Sequence, residues 1–322
     1  MSVNMGVKIA GVNFKNPVIA ASGTFAFGEE YRLYMDLSRL GGIALKALTR
    51  EKRKGNPPVR VAETASGVLN SVGLQNPGVD GFIEDYWNHV KKIDTVKIAN
   101  IAGSTAEEYV YVAERLNGID IDLYEVNVSC PNVKEGGVNF GSDAKLLAQV
   151  VSGVKKVALK PLIVKLTPNV TRIADMAMAA QDAGADAISL INTITGMAVD
   201  ARTRKPILAN TTGGLSGPAI KPVALRMVWE ASKAVSIPVI GMGGIMTGVD
   251  AAEFMIAGAA AVMAGTATMC CPDALTRIIG ELEAFCEEEK IKNVYELTGT
   301  MKTGSPESLK AFGGEITEGK PC

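Results

Sequence analysis

Leu123-Tyr124-Glu125-Val126-Asn127-Val128-Ser129-Cys130-Pro131-Asn132 begins as a short apolar run and ends in a turn. The run reads as the end of a buried strand. Pro131 has no N–H to offer a ladder, so the chain leaves the sheet there. A thiol, Cys130, is thereby delivered at the lip of a strand, beside the amides of Asn127 and Asn132, which both donate and accept hydrogen bonds. A thiol titrates at about 8.5 in water, near enough to neutrality to abstract a proton when its surroundings help. A buried structural thiol is the alternative, and at this stretch both stand. The next residues, Val133–Gly141, are glycine-rich and suited to closing over a ligand.

The same pattern recurs along the chain. Eight short, apolar, mostly β-branched runs are Pro17–Ser22, Gly42–Ala47, Val96–Ile101, Leu123–Val128, Leu162–Leu166, Ala187–Asn192, Pro238–Met242 and Ala261–Gly265. Helical periodicity fills the intervals, as in Ala106–Leu116, Ala144–Val157, Ile173–Ala183, Ala224–Ala234 and Ala251–Ile256. This alternation predicts an α/β protein with a parallel sheet, and eight units predict a (β/α)8 TIM barrel in a single domain. A doubly wound open sheet is the alternative, since periodicity does not show closure. No GxGxxG turn follows the first run, which weakens its dinucleotide-binding form.

The C-terminal end of each run carries the second signal. In order these ends hold Ser22, Lys46, Asn100, Asn127, Lys165, Asn192, Gly243-Gly244 and Gly265-Thr266. A barrel assembles its active site at that face from several strand ends. Ordinary turn chemistry accounts for the glycines but not for Lys46 and Lys165, because buried lysines are costly unless paired. Gly241–Gly244 and Gly265-Thr266 follow the seventh and eighth runs, where barrels often hold a phosphate against bare backbone N–H groups. Gly213–Gly217 offers a third such loop.

Composition narrows the class. Of 322 residues 47% are hydrophobic, enough for a large core, and the net charge of -1 gives no reason to expect nucleic acid or an anionic membrane. The basic cluster Arg50, Lys52, Arg53, Lys54 is interrupted by Glu51 and reads as a solvated loop. No signal peptide or membrane-spanning run of roughly 20 apolar residues is legible, so a cytoplasmic protein is expected. The cysteines at 130, 270, 271, 286 and 322 form no CxxC pair and no metal or cluster spacing. His89, the only histidine, sits among charged residues on a helix, which excludes a histidine triad. Two βα loops, from Thr49 to Pro77 and from Thr193 to Gly217, are long enough to expect function. Residues 1–302 read as the barrel domain and 303–322 as a mobile C-terminal tail.

Several stretches together resemble the catalytic subunit of class 1B dihydroorotate dehydrogenase. They are Asn16–Gly23, Lys46, Gly55–Arg60, Asn70–Gly78, Asn127–Asn132, Lys165, Ile191–Thr193, Gly243-Gly244 and Gly265-Thr266. Class 2 enzymes use a serine base and carry a membrane-binding extension. The 1A enzymes share the cysteine but differ from this chain around Ala21–Thr24 and Gly55–Pro58. The resemblance implies FMN-dependent oxidation of (S)-dihydroorotate to orotate in pyrimidine biosynthesis, with Cys130 as general base. It implies substrate contacts from Lys46, Asn70, Ser71, Val72, Gly73, Leu74, Asn127, Asn132, Asn192 and Thr193. It also implies flavin-ring contacts from Ser22, Lys46, Ala47, Asn100, Asn127, Lys165 and Ile191. The ribityl phosphate would fall to Gly217, Gly243, Gly244, Gly265 and Thr266.

The same resemblance implies a homodimer joined to a second subunit carrying FAD and a [2Fe-2S] cluster, a heterotetramer that passes electrons to NAD. Three other readings remain. They are a fumarate-using 1A enzyme, a flavin barrel acting on another dihydropyrimidine, and a non-catalytic phosphate-binding barrel. The last has no use for two lysines and a cysteine at strand ends.

Overall fold

Eight parallel strands close into a barrel in the computed structural model, which describes residues 2–128 and 140–303. The strands are β1 (Val18–Ala20), β2 (Gly42–Ala44), β3 (Val96–Ile101), β4 (Leu123–Asn127), β5 (Leu162–Lys165), β6 (Ala187–Leu190), β7 (Val239–Met242) and β8 (Ala261–Ala264). Each pairs with its neighbour in sequence, and β8 pairs back onto β1 through Val262 and Val18. Closure decides for the barrel over the open sheet. All eight apolar runs are barrel strands.

The outer layer follows from apolar stripes at helical spacing. The helices are α1 (Ala106–Leu116), α2 (Ala144–Val157), α3 (Ile173–Asp182), α4 (Lys221–Ala234), α5 (Gly248–Ile256) and α6 (Ala274–Glu288). In α2 the buried residues are Leu147, Val150, Val151 and Val154, one stripe turned to the barrel. Burying each such side chain contributes about 1.5–3 kcal/mol. The starts are set locally. The Asp143 carboxylate accepts from the N–H groups of Lys145 and Leu146, and Thr247 with Asp250 forms a reciprocal capping box on α5. The helix read from Ala224 starts at Lys221 instead, because Pro222 is well suited to a first turn.

The two long βα loops carry structure of their own. They are not irregular but fold together into a four-stranded antiparallel sheet, in the order Ile194–Met197, Thr212–Ser216, Gly67–Asn70, Val61–Thr64. Each loop is a hairpin, and the two hairpins join where Gly214 pairs with Asn70 and Leu215 with Leu69. Among the described residues no helix is long and apolar enough to cross a membrane. His89 and the Arg50–Lys54 cluster lie on the surface, with Arg50 over the ring of Tyr111 and Arg53 bonded to Ser104.

Candidate active site

On β1, β2 and β6 regular pairing stops before the polar residues, whereas Asn127 and Lys165 are the last paired residues of β4 and β5. β1 ends at Ala20 and β2 at Ala44, although backbone bonds such as Ala21 N–H to Ala264 O and Leu48 N–H to Asn100 O carry the chain a little further. Beyond them lies a cavity of about 410 Å³, within the usual range for a small-molecule site. Its wall is built from Ser22 after β1, Lys46 and Ala47 after β2, Asn127 and Lys165 at the ends of β4 and β5, and Ile191, Asn192 and Thr193 after β6. Gly243 and Gly244 after β7, Gly265 and Thr266 after β8, and Gly217 complete it. Residues more than 240 positions apart in sequence thus share one cavity, as the strand-end pattern predicts.

The antiparallel sheet roofs the cavity. Alternate residues of a strand face one side, and Val68 with Asn70, and Gly214 with Ser216, face down into it. Asn70 donates to Gly214 O at 3.3 Å. Thr193 lies directly beneath Gly214, where any side chain at 214 would collide with its hydroxyl. Val72, Gly73 and Leu74 continue the wall. Leu74 holds a left-handed φ of 54°, fixed by Asn76, whose amide donates to Leu74 O and accepts from the N–H groups of Thr49 and Gly78. Asn76 thus ties this loop to the end of β2. Ser71 does not line the cavity. It follows the alternation to the opposite face, where its hydroxyl is buried without a partner and its backbone bonds Arg60 and Asn56.

Beneath the cavity lies a polar layer the sequence reading missed. Glu125, on β4 two residues before Asn127, points into the barrel and is fully buried. Its carboxylate accepts from Ser189 Oγ at 2.7 Å and from Asn100 Nδ2, and faces Lys165 Nζ at 3.7 Å. Asn100 belongs to this layer rather than to the cavity wall, and its Oδ1 has no partner among the described residues. The signal was present as a lone carboxylate inside an apolar strand. Two more residues went unread. Asn169 donates to Thr193 O and accepts from Thr195 N–H, so it positions the start of the roof. Ser216 accepts from Thr266 Oγ1 at 2.9 Å, joining roof to wall.

The glycine side of the mouth carries little charge of its own. Gly243 and Gly244 have φ of 127° and 78°, and alanine at 243 would bring its methyl 2.7 Å from Ala224 Cβ. Lys221, packed beside Gly244, is bound to Asp250 at 2.5 Å and Glu253 at 2.7 Å. Burial alone would lower its pKa, but the two carboxylates outweigh that and hold it above the ordinary lysine value. Burial would likewise raise Asp250, yet Lys221 and the Met246 N–H keep it below the usual carboxylate range. Of the other thiols, Cys286 is buried in α6, where burial pushes it up, and Cys271 is pushed up by its bond to Asp273. Neither lines the cavity. Cys130 and Asn132 lie outside the described residues.

Comparison with known proteins agrees with this arrangement. The family model described as dihydroorotate dehydrogenase matches residues 4–286. Curated relatives include the "Dihydroorotate dehydrogenase B (NAD(+)), catalytic subunit" of Alkaliphilus oremlandii, 55% identical over 92% of this chain and 99% of its own length. The proteins of the same name from Alkaliphilus metalliredigens and Geobacter metallireducens are 56% and 52% identical, each over 93% of this chain and 99% and 98% of their own lengths. A solved DHODH from Eimeria tenella, in complex with ferulenol, superposes with a TM-score of 0.77 at 23% identity. It covers 92% of this chain and 88% of that one, and shows the shared fold. With nearly its whole barrel matched and its strand-end residues gathered in one cavity, this chain belongs to the dihydroorotate dehydrogenase family.

Proposed function

We propose that this chain oxidises (S)-dihydroorotate to orotate with FMN in the barrel mouth, as the catalytic half of an NAD-linked enzyme. The observation that carries it is the convergence of Lys46, Asn127, Lys165 and Asn192 with the bare glycines of β7 and β8 in a single cavity of about 410 Å³. The donor set fits FMN. One arc, from β6 to β8, presents backbone at Gly217, Gly243, Gly244 and Gly265, suited to a phosphate. The other, from β2 to β5, presents two ammonium groups and an amide, suited to a polar ring and an anion. The buried, unpartnered Asn100 Oδ1 leaves an acceptor just below that arc.

Oxidation removes a proton from C5 and a hydride from C6, leaving a C5=C6 double bond. FMN, when bound, supplies the hydride acceptor. Lys46 provides the cation for the substrate carboxylate. Asn70, Asn127, Asn132 and Asn192, with Thr193, match the alternating N–H and C=O groups of the pyrimidine ring. Cys130 takes the C5 proton, as a thiolate or near-thiolate. Lys165 would supply positive charge to a bound flavin, which gains electrons in the reaction. Val72, Gly73 and Leu74 would close the substrate side, while Ser22, Ala47 and Ile191 would pack the flavin ring.

The relatives named as NAD(+) catalytic subunits support a partner. The partner assigned here carries FAD and a [2Fe-2S] cluster, and a homodimer of this chain binds two copies to form a heterotetramer. Residues 1–302 form the catalytic domain, with 303–322 a tail outside the chemistry. Anaerobic mixing of the FMN-loaded chain with dihydroorotate should bleach the flavin absorbance, and an unbleached flavin would reject the activity. Supplied with acceptors, the isolated chain should reduce an artificial dye but little NAD⁺ or fumarate. Rapid fumarate reduction would place it with the 1A enzymes, and efficient NAD⁺ reduction would remove the partner.

A further inference from the structure

Glu125 is the only carboxylate among the described residues that is fully buried inside the barrel, and none of the roles proposed above uses it. Alternation along β4 sends Tyr124 outward, where its hydroxyl bonds Asn117 and Ala113 of the α1 region, and sends Glu125 and Asn127 inward. Asn127 lines the cavity, so Glu125 sits one layer below it. From there a single carboxylate gathers side chains from three other strands. It accepts from Asn100 of β3 and Ser189 of β6, and faces the ammonium of Lys165 of β5 at 3.7 Å. The two charged side chains are 0% and 6% exposed.

Burying a lone carboxylate or ammonium is strongly unfavourable, and hydrophobic replacement of such a pair is often neutral or better. A pair kept in a barrel core therefore needs a reason other than stability. Lys165 is the member that reaches the cavity, and Glu125 is the member behind it. We infer that Glu125 is a positioning residue, which holds the Lys165 ammonium aimed into the barrel mouth toward the flavin and, with Ser189, fixes the level at which it stands. This deepens the proposed function and rests on the reading of the cavity as a flavin site. The role is distinct from that of Lys46, which enters from β2 and is outside this layer.

The test compares Glu125→Gln, Lys165→Met and the double variant with the parent, in three measurements. They are FMN affinity of the apoprotein by fluorescence quenching, the midpoint potential of the bound flavin, and the thermal midpoint without ligand. Glutamine keeps the shape and one acceptor oxygen for Ser189, its NH2 can donate to Asn100 once that amide turns its Oδ1 inward, and the charge is removed. Glu125→Gln should weaken FMN binding at least tenfold and lower the flavin potential in the same direction as Lys165→Met. The double variant should bind no worse than Lys165→Met alone and should melt above Glu125→Gln, because no buried charge is left unpaired. An unchanged affinity and potential in Glu125→Gln would overturn the inference. So would a raised potential, which would make the carboxylate a mere screening charge, or losses that multiply in the double variant.

If Glu125→Gln cannot be obtained folded, recovery of folded double variant supports the pairing, and failure of both rejects it. If the parent takes up no FMN, the flavin reading fails by itself. The ligand-free thermal midpoints then still decide whether the two residues act as one.

Discussion

Replacing Gly244 by alanine asks whether the bare backbone after β7 receives the phosphate end of the ligand. Gly244 has φ of 78°, a region that costs an L side chain about 1–2 kcal/mol. An added methyl would lie 2.8 Å from Lys221 Cβ, 2.9 Å from Gly217 O and 2.9 Å from Lys221 N. Two of these atoms are backbone, so no rotamer change relieves the clash, and overpacking of this kind costs about 1–3 kcal/mol. The sum is about 2–5 kcal/mol. For a chain this long that corresponds to a fall in thermal midpoint of roughly 4–10 °C. Relief requires movement of Gly217 or of the start of α4, and Gly217 shares the cavity wall. FMN affinity should therefore fall at least tenfold, about 1.4 kcal/mol. The assay is titration of apoprotein with FMN followed by fluorescence, beside thermal unfolding by circular dichroism. Gly280→Ala is the control. It lies inside α6 with nothing within 4 Å of an added methyl, so it should stabilise by about 0.5–1 kcal/mol and leave FMN binding alone. Parent-like FMN affinity in Gly244→Ala would refute the cradle.

Three further outcomes are expected. Cys130→Ala should keep FMN but slow flavin reduction by dihydroorotate by about 10²–10⁴-fold, with Cys130→Ser partly active and improving as pH rises; stopped-flow absorbance reads both, and near-normal reduction at neutral pH would remove Cys130 as the base. Lys46→Ala should weaken orotate binding more than Lys165→Met does, measured by titration through the flavin spectrum, since only Lys46 is assigned to the carboxylate. The Lys221–Asp250 pair predicts a pH signature. Asp250 is held low in the fold, so its contribution is present above about pH 4 and lost as pH falls through its folded value, while that of Lys221 persists until pH rises above about 10. The gap in thermal midpoint between the parent and Lys221→Met should thus be constant from pH 5 to 9 and shrink below pH 4, and a gap that widens in acid would show the sign to be wrong.

What the sequence made legible was periodic or chemical, and what it hid was non-local. The barrel could be read because each strand announces itself by its own apolar run, and Lys46 and Lys165 because a lysine ending such a run is out of place. The roof could not be read, since Gly67–Asn70 finds its partner in Thr212–Ser216, well over a hundred residues later. Without that pairing there was no face to assign, which is why Ser71 was grouped with Asn70 although the strand turns it away from the cavity. Asn100, which the resemblance implies as a flavin-ring contact, is a related case. Its position at a strand end is visible in the sequence, but its depth depends on the register that sets it opposite Glu125.

The two halves of the barrel mouth divide the work between backbone and side chains, and the division follows from where charge is permitted. On the β6–β8 arc the nearest lysine, Lys221, is committed to Asp250 and Glu253 on α5, outside the cavity wall. An anion at Gly217, Gly244 and Gly265 therefore meets N–H dipoles, which need no counter-charge and do not change when the ligand changes redox state. On the β2–β5 arc the ammonium of Lys165 has a buried carboxylate behind it, so the pair turns its positive end to the cavity and its negative end to the layer below. A fixed dipole cradle suits a group that is only held. A paired, oriented cation suits the edge where charge changes during the reaction. On the proposed reading the same barrel keeps holding and chemistry on opposite arcs, and substitutions on one arc should alter retention of the ligand with less effect on its potential than substitutions on the other.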